Sequence, residues 1–295
     1  MRTTLDCIPC FVRQALEAMR RLAGDEHATR RLLQDLLVDL SQMDFDQSPP
    51  MVGRRIHRRI RTLLGDDDPY RALKDRFNRH ALQLYPALKR RVEEASDPFQ
   101  AALRVAIAGN SIDFAALDDV TESSVNTLME SAWDRPLLGS PGGLRQAADA
   151  APSILYLADN AGEIVFDRLL IERLPLDRVT VAVRGAPVIN DATIEDARAA
   201  GLTELVDVID NGSDVPGTVL EECSPAFRRR FDEAPLILAK GMGNYETLNT
   251  MSGHSVHFLL IAKCPLVAEH LGCRVGDFVA SSNHAARLQK QGVRT

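Results

Sequence analysis

A chain of 295 residues is long enough for one large domain or two ordinary ones, and 45% hydrophobic with 26% charged residues is the composition of a globular protein with a full core. A formal net charge of −6 argues against a general nucleic-acid binder, while leaving room for a local basic site that takes an anionic metabolite. No stretch approaches the roughly 20 apolar residues that cross a bilayer, the opening MRTTLDCIPC lacks the apolar core of a signal peptide, and five scattered cysteines make no disulfide framework, so the expectation is a cytoplasmic protein.

Residues 1–140 read as helical. Phe11, Ala15, Leu16, Met19 and Leu22 recur at helical spacing, with Pro9 near the start and Gly24 past the end. Cys7 and Cys10 form a C-x-x-C before this stripe, but no strand precedes them and no second pair exists, so packed thiols are expected. Leu32, Leu33, Leu36, Leu37 and Leu40 make a second stripe, and Val52, Ile56, Ile60 and Leu64 a third, stopped by Gly65. The third carries RRIHRRIR (54–61), expected as a solvated cationic face or one paired with the nearby GDDD (65–68). Leu73, Phe77, Leu84, Leu88 and Val92 mark a fourth helix, with a kink or break expected at Pro86. A fifth runs from Pro98 to Ala108 and halts at GNSID (109–113), where Asn110 and Asp113 either finish a helix or reach over a site.

The glycine- and proline-rich DRPLLGSPGG (134–143) reads as a connection. Beyond it, residues 141–295 alternate short apolar runs with helical segments. Strands are expected at SILYLA (153–158), VTVAV (179–183), LVDVI (205–209), PLILA (235–239) and VHFLLIA (256–262), with helices at 162–173, 191–200, around 216–231 and 265–271. The fold class is therefore α/β, a Rossmann-like and mostly parallel sheet with an additional all-helical N-terminal part.

Ligands of open parallel sheets bind beyond the carboxyl ends of the strands, and three polar clusters stand there. ADNAGE (158–163) supplies Asp159, Asn160 and Glu163. RGAPVINDAT (184–193) supplies Arg184, Asn190 and Asp191. KGMGNYET (240–247) supplies Lys240, Asn244 and Glu246. Asp159 and Asp191, converging on one edge, repel unless a proton or cation lies between them. With Asn160 they are hard oxygen donors, suited to Mg²⁺ or Mn²⁺ with positions left for a phosphate. Lys240 and Arg184 are the candidate phosphate holders. Asn160, Asn190 and Asp191 are equally good N-caps for the helices that follow. GMGNYE is not G-x-G-x-x-G, and neither a Walker motif nor zinc-ligand spacing occurs.

In order, DCIPC, GNSID, DNAGEIVFD, RGAPVINDAT and KGMGNYETL resemble the damage-control phosphatase family, formerly domain of unknown function 89, and its stand-alone prokaryotic branch in particular. The resemblance implies a metal-dependent phosphatase acting on small phosphorylated metabolites, with Mg²⁺, Mn²⁺, Co²⁺ or Ni²⁺ as cofactor. It puts the metal ligands on Asp159, Asn160 and Asp191, and phosphate contacts on Lys240, Asn110, Arg184 and Asn190. Sugar phosphates are the expected class, closed over by Asn110 and Asp113. Two rivals stand beside it: a Rossmann-like methyltransferase or dehydrogenase, and a non-catalytic phosphometabolite-binding module. The first wants an acidic residue for ribose after the second strand, where this chain has Arg184.

Overall fold

The computed structural model describes residues 1–22, 25–111, 127, 130, 132–133 and 135–283. Five helices come first: α1 (Cys7–Leu22), α2 (Glu26–Ser41), α3 (Pro49–Leu64), α4 (Arg71–Glu93) and α5 (Pro98–Ala108). The apolar stripes decide what α1 to α3 bury. Phe11, Ala15 and Met19, then Leu32, Leu36 and Leu40, then Val52, Ile56 and Ile60 meet in one cluster. Leu37 falls off that face and is 54% exposed. Asp97 starts α5 by accepting from the amides of Phe99 and Gln100. Of the kink or break expected at Pro86, the break does not occur: α4 runs as one helix through that residue. Its buried residues Phe77, Ala81, Leu84, Leu88 and Val92 hold the helix on the central core on both sides of the proline.

The second half carries β1 (Leu137–Gly139), α6 (Pro141–Ala150), β2 (Ile154–Leu157), α7 (Glu163–Ile171), β3 (Val179–Val183), α8 (Ile194–Ala199), β4 (Asp207–Asp210), α9 (Pro225–Glu233), β5 (Leu236–Lys240), α10 (Gly241–Leu248), β6 (Val256–Ile261), α11 (Pro265–Leu271) and β7 (Phe278–Ser282). The seven strands form one sheet in the order β1-β7-β6-β5-β2-β3-β4. All neighbours are parallel except β6 and β7. Two strands lie outside the expected set. β1 falls within the stretch read as a connection, and three residues are too few to show alternation.

Period-two geometry divides the central strands between two cores. Ile154, Tyr156, Leu236 and Leu238 face α4, α5 and α7. Leu155, Leu157, Ile237 and Ala239 face α9 and α10. Burial on both faces is why β2 and β5 read as unbroken apolar runs.

From β2 the chain builds outward through β3 and β4, then returns to place β5 on the other side of β2. The switch point thus falls between the carboxyl ends of β2 and β5, where an α/β sheet opens a crevice. Helix α3 is tied over this edge by charge. Arg58 and Arg61 each bond Asp214 at 2.7 Å, Arg54 bonds Glu222, and Arg61 also donates to the carbonyl of Pro187. The arginines of RRIHRRIR, expected to be solvated or paired with GDDD, instead pair with the loops after β3 and β4 and with Asp39 on α2, Arg58 staying 53% exposed. No helix among the described residues is long and apolar enough to cross a membrane.

Candidate active site

The site grows from the residues that end β2. Asp159 and Asn160 follow the strand after Ala158, and neither side chain caps the next helix. The N-cap of α7 is Gly162, at φ 77°, and its amide donates to the side chain of Asn78 on α4 at 2.7 Å. Helix α8 is likewise capped elsewhere, by a capping box of Thr193 and Asp196. The loops thus keep the carboxylates of Asp159 and Asp191 and the carboxamide of Asn160 for another task.

Backbone pairing brings these loops together. Asn160 and Asp191 form an isolated antiparallel bridge, the amide of Ala161 donates to the carbonyl of Asn190 at 2.8 Å, and that of Ala192 donates to the carbonyl of Asp159 at 2.8 Å. Arg184, at the end of β3, spans the pair. Its Nε donates to Asp191 Oδ2 at 2.7 Å, and one terminal nitrogen lies 4.0 Å from Asp159 Oδ1 without a hydrogen-bond partner. Asp159 and Asp191 therefore lie on one rim of the sheet, both buried.

Glycine decides how close the elements come. A Cβ at Gly241, which holds φ 76°, would sit 1.9 Å from Asp159 Oδ2. Only glycine lets the start of α10 pass against that carboxylate. A Cβ at Gly109 would lie 2.8 Å from the Phe166 ring, so the glycine of GNSID lets the end of α5 settle on α7. Asn110 is thereby delivered from above. Its Nδ2 donates to Asp159 Oδ2 at 2.9 Å and to Glu163 Oε2 at 2.5 Å, and Asn160 Nδ2 donates to the same two oxygens at 2.8 Å each.

Lys240 takes a different position from the one its sequence context suggests. It is fully buried, and its ammonium donates to Glu163 Oε1 at 2.6 Å, Asp167 Oδ1 at 2.5 Å and the carbonyl of Ala106 at 2.9 Å. Three donors meet three acceptors, so its direct effect is to hold Glu163 and Asp167. Asn244 bonds the carbonyl of Lys240 at 2.8 Å. Asp113 lies outside the described residues.

The charges do not balance. In direct ion pairs the four carboxyl groups of Asp159, Glu163, Asp167 and Asp191 meet two cations, Lys240 and Arg184, while Lys263 and Lys74 act on Asp159 and Asp191 from further off. Burial, then the charges of Glu163 and Asp191, push the Asp159 carboxyl up to about 8. Burial also raises Asp167, against the pull of Lys240, and Asp191, against that of Arg184. Such a rim takes up a proton or a cation to relieve its excess. Among the described residues no group of three His, Cys, Asp or Glu side chains is placed to cage a metal. What the rim offers is two carboxylates and a carboxamide, an oxygen set that fits a hard divalent ion with open positions. Ligation by Asn160 requires its carboxamide to turn Oδ1 toward Asp159 where Nδ2 now points.

Above the rim opens a cleft of about 250 Å³, lined by Asn110, Asn160, Glu163, Asn190, Arg21 and Lys263 among others. Asp159, Asp191, Arg184 and Lys240 lie behind this wall. Ile189, also on the wall, holds φ 46°, a conformation a β-branched residue rarely keeps. Sequence reasoning missed Asp167, Lys263, Arg21 and Tyr70. Lys263 directly follows the β6 run, where the strand-end rule would have found it. Asp167 sits one helical turn after Glu163, within reach of the same cation. Arg21 and Tyr70 arrive from distant helices and carry no local signal.

Residues 3–279 match the model of the damage-control phosphatase ARMT1-like domain. The chain belongs to that family. It is 35% identical to an archaeal damage-control phosphatase from Archaeoglobus fulgidus, over 93% of this chain and 96% of the relative. It is also 35% identical to an uncharacterized protein of Methanocaldococcus jannaschii, over 93% of each. A crystal structure of a DUF89 family protein from Pyrococcus horikoshii superposes with a TM-score of 0.89 at 31% identity, covering 96% of this chain and 99% of that one. The family resemblance of the five motifs and the α/β architecture both hold.

Proposed function

We propose that this protein is a metal-dependent phosphatase that hydrolyses phosphate monoesters of small metabolites, with sugar phosphates as the leading class. Membership of the damage-control phosphatase ARMT1-like family supports the phosphatase reading. The observation that carries it furthest is the rim itself: Asp159 and Asp191, bridged by Arg184 at the switch point, with more carboxylate than the neighbouring cations offset.

Asp159, Asn160 and Asp191 would hold Mg²⁺, Mn²⁺, Co²⁺ or Ni²⁺. Such an ion, when bound, offsets the charge that builds on phosphoryl oxygens during transfer. The chain's own groups do the rest. Lys263 on the cleft wall draws the anionic end of the substrate inward. Asn110 clamps Asp159 and Glu163 in one geometry, and Lys240 holds Glu163 from behind. The unpaired terminal nitrogen of Arg184 has a donor to offer an oxygen that enters beside Asp159. Water is the proposed nucleophile, because the Asp159 carboxylate is assigned to the metal and accepts from Asn110. Transfer of ¹⁸O from labelled water into the protein would overturn that choice.

The dehydrogenase or methyltransferase alternative loses ground at the end of β3. The residue there is cationic, buried and committed to Asp191, which leaves no acceptor for a ribose hydroxyl. The deciding experiment is a phosphatase assay over a metabolite panel with each of Mg²⁺, Mn²⁺, Co²⁺ and Ni²⁺, and Asp159→Asn as control. Turnover of sugar phosphates that vanishes in the variant is expected. Turnover indifferent to both metal and variant would sink the proposal.

A further inference from the structure

A second lobe of about 290 Å³ adjoins the cleft, the two sharing Arg21, Tyr70 and Ile189 on their walls. Its lining comes mainly from one face of α1, where Cys10, Arg13, Gln14, Glu17 and Arg21 recur at helical spacing. The opposite face of α1 is the apolar one, buried through Phe11, Ala15 and Met19. Among the described residues Arg13 and Arg21 form neither a salt bridge nor a hydrogen bond, and Glu17, a turn from each, is not paired with them. Arg21 is near enough to Tyr70 to act on its hydroxyl. The lobe therefore carries one net positive charge from these three groups.

A buried histidine forms part of the lobe wall. His57, on α3, lines the lobe while only 2% exposed. Its Nδ1 is engaged by the Tyr70 hydroxyl at 3.3 Å, and its Nε2 has no hydrogen-bond partner. Burial, followed by the charge of Arg61, lowers the imidazole to about 4, so near neutral pH it adds no charge to the lobe.

Resting on the phosphatase reading of the adjoining cleft, we infer that this lobe receives the end of the substrate distal to the scissile phosphate, and that this end carries a second anionic group. Arg13 and Arg21 provide its charge partner, and Gln14 provides hydrogen bonds to the oxygens between. The chemistry suits a phosphorylated polyol ending in a carboxylate or in a second phosphate, in preference to a neutral sugar phosphate.

The test measures equilibrium binding, by titration calorimetry with MnCl₂ present, of hydrolysis-resistant probes: the 6-phosphonate of glucose, the 6-phosphonate of gluconate, and the 1,6-bisphosphonate of the same six-carbon chain. One or both doubly anionic probes should bind about tenfold more tightly than the neutral-ended one, as expected for one charge-assisted contact. That ratio should fall to near one in Arg13→Ala and persist in Leu37→Ala, a surface control away from the lobe. Which doubly anionic probe keeps the advantage separates carboxylate from phosphate. Equal affinity for all three probes, no binding of any, or a ratio that survives Arg13→Ala overturns the inference. Selective binding without turnover of the parent phosphates would instead sink the phosphatase reading alone, and turnover with equal binding would sink only the lobe's role.

Discussion

Lys240 and Glu163 form an ion pair at 2.6 Å in which neither side chain is more than 1% exposed. The same ammonium holds Asp167 at 2.5 Å, so one cation from the end of β5 fixes two carboxylates of α7. Lys240→Met removes that cation and strands both carboxylates in the interior. A loss of about 3–5 kcal/mol is expected, the usual cost of breaking a buried pair by deleting one member. Urea unfolding of the purified variant measures it, and a loss below 1 kcal/mol would show that the pair is not the clamp described here.

Asp159→Asn should behave in the opposite way. Burial and the neighbouring charges of Glu163 and Asp191 already disfavour the ionised carboxyl, so the variant should melt at or above the wild-type temperature. Phosphatase turnover should nevertheless fall by a factor of about 10² or more, as for loss of a group that acts on the transition state. On the proposed metal site, Mn²⁺ should raise the melting temperature of the wild type and leave that of the variant unchanged.

Gly241→Ala tests the close approach. The added methyl would meet Asp159 Oδ2 at 1.9 Å on a backbone at φ 76°. A cost of about 1–3 kcal/mol in stability is expected from strain, together with a drop in turnover larger than any change in KM. Gly142→Ala, where a Cβ meets nothing within 4 Å, provides the neutral comparison.

Asn78 acts from outside the cleft. It donates to Asp196 at 2.8 Å and accepts from Gly162 at 2.7 Å, at the turn that opens α7 just before Glu163. Asn78→Ala should cost about 1–2 kcal/mol by leaving a helix-start amide unpaired. Because Glu163 is the first residue of that helix, kcat should fall while KM changes little. Unaltered kcat would remove Asn78 from the positioning of the site.

Asp214 ties the helical layer to the sheet edge. Burial alone would raise its carboxyl, but hydrogen bonds from Arg58 and Arg61 outweigh that and hold it below the usual range. A folded pKa below the unfolded one means the stabilisation is complete above the unfolded value of about 4 and is lost as pH falls through the folded value. The wild-type melting temperature should therefore decline on acidification below about pH 4. Asp214→Asn should be less stable at pH 7 and show a shallower decline there, which thermal melts across pH 3–7 would reveal.

Much of the architecture was legible in the residue order alone. Helix α5 and strand β3 begin and end where their apolar spacing placed them, because 3.6- and 2-residue periods record which face a segment buries. Asp159, Asn160 and Asp191 stood out because polar groups directly after apolar strands land at the ligand-binding edge of a parallel sheet. Residue order could not show that Asn160 and Asp191 leave capping to Gly162 with Asn78, and to Thr193 with Asp196. Nor could it show that Lys240 is spent on Glu163 and Asp167, that Arg184 bridges two carboxylates, or that α1 brings Arg13 and Arg21 to the cleft's second lobe. Local patterns report the environment of a segment, whereas the partner of a charged side chain is chosen by distance across elements far apart in the chain. That choice belongs to the packed molecule.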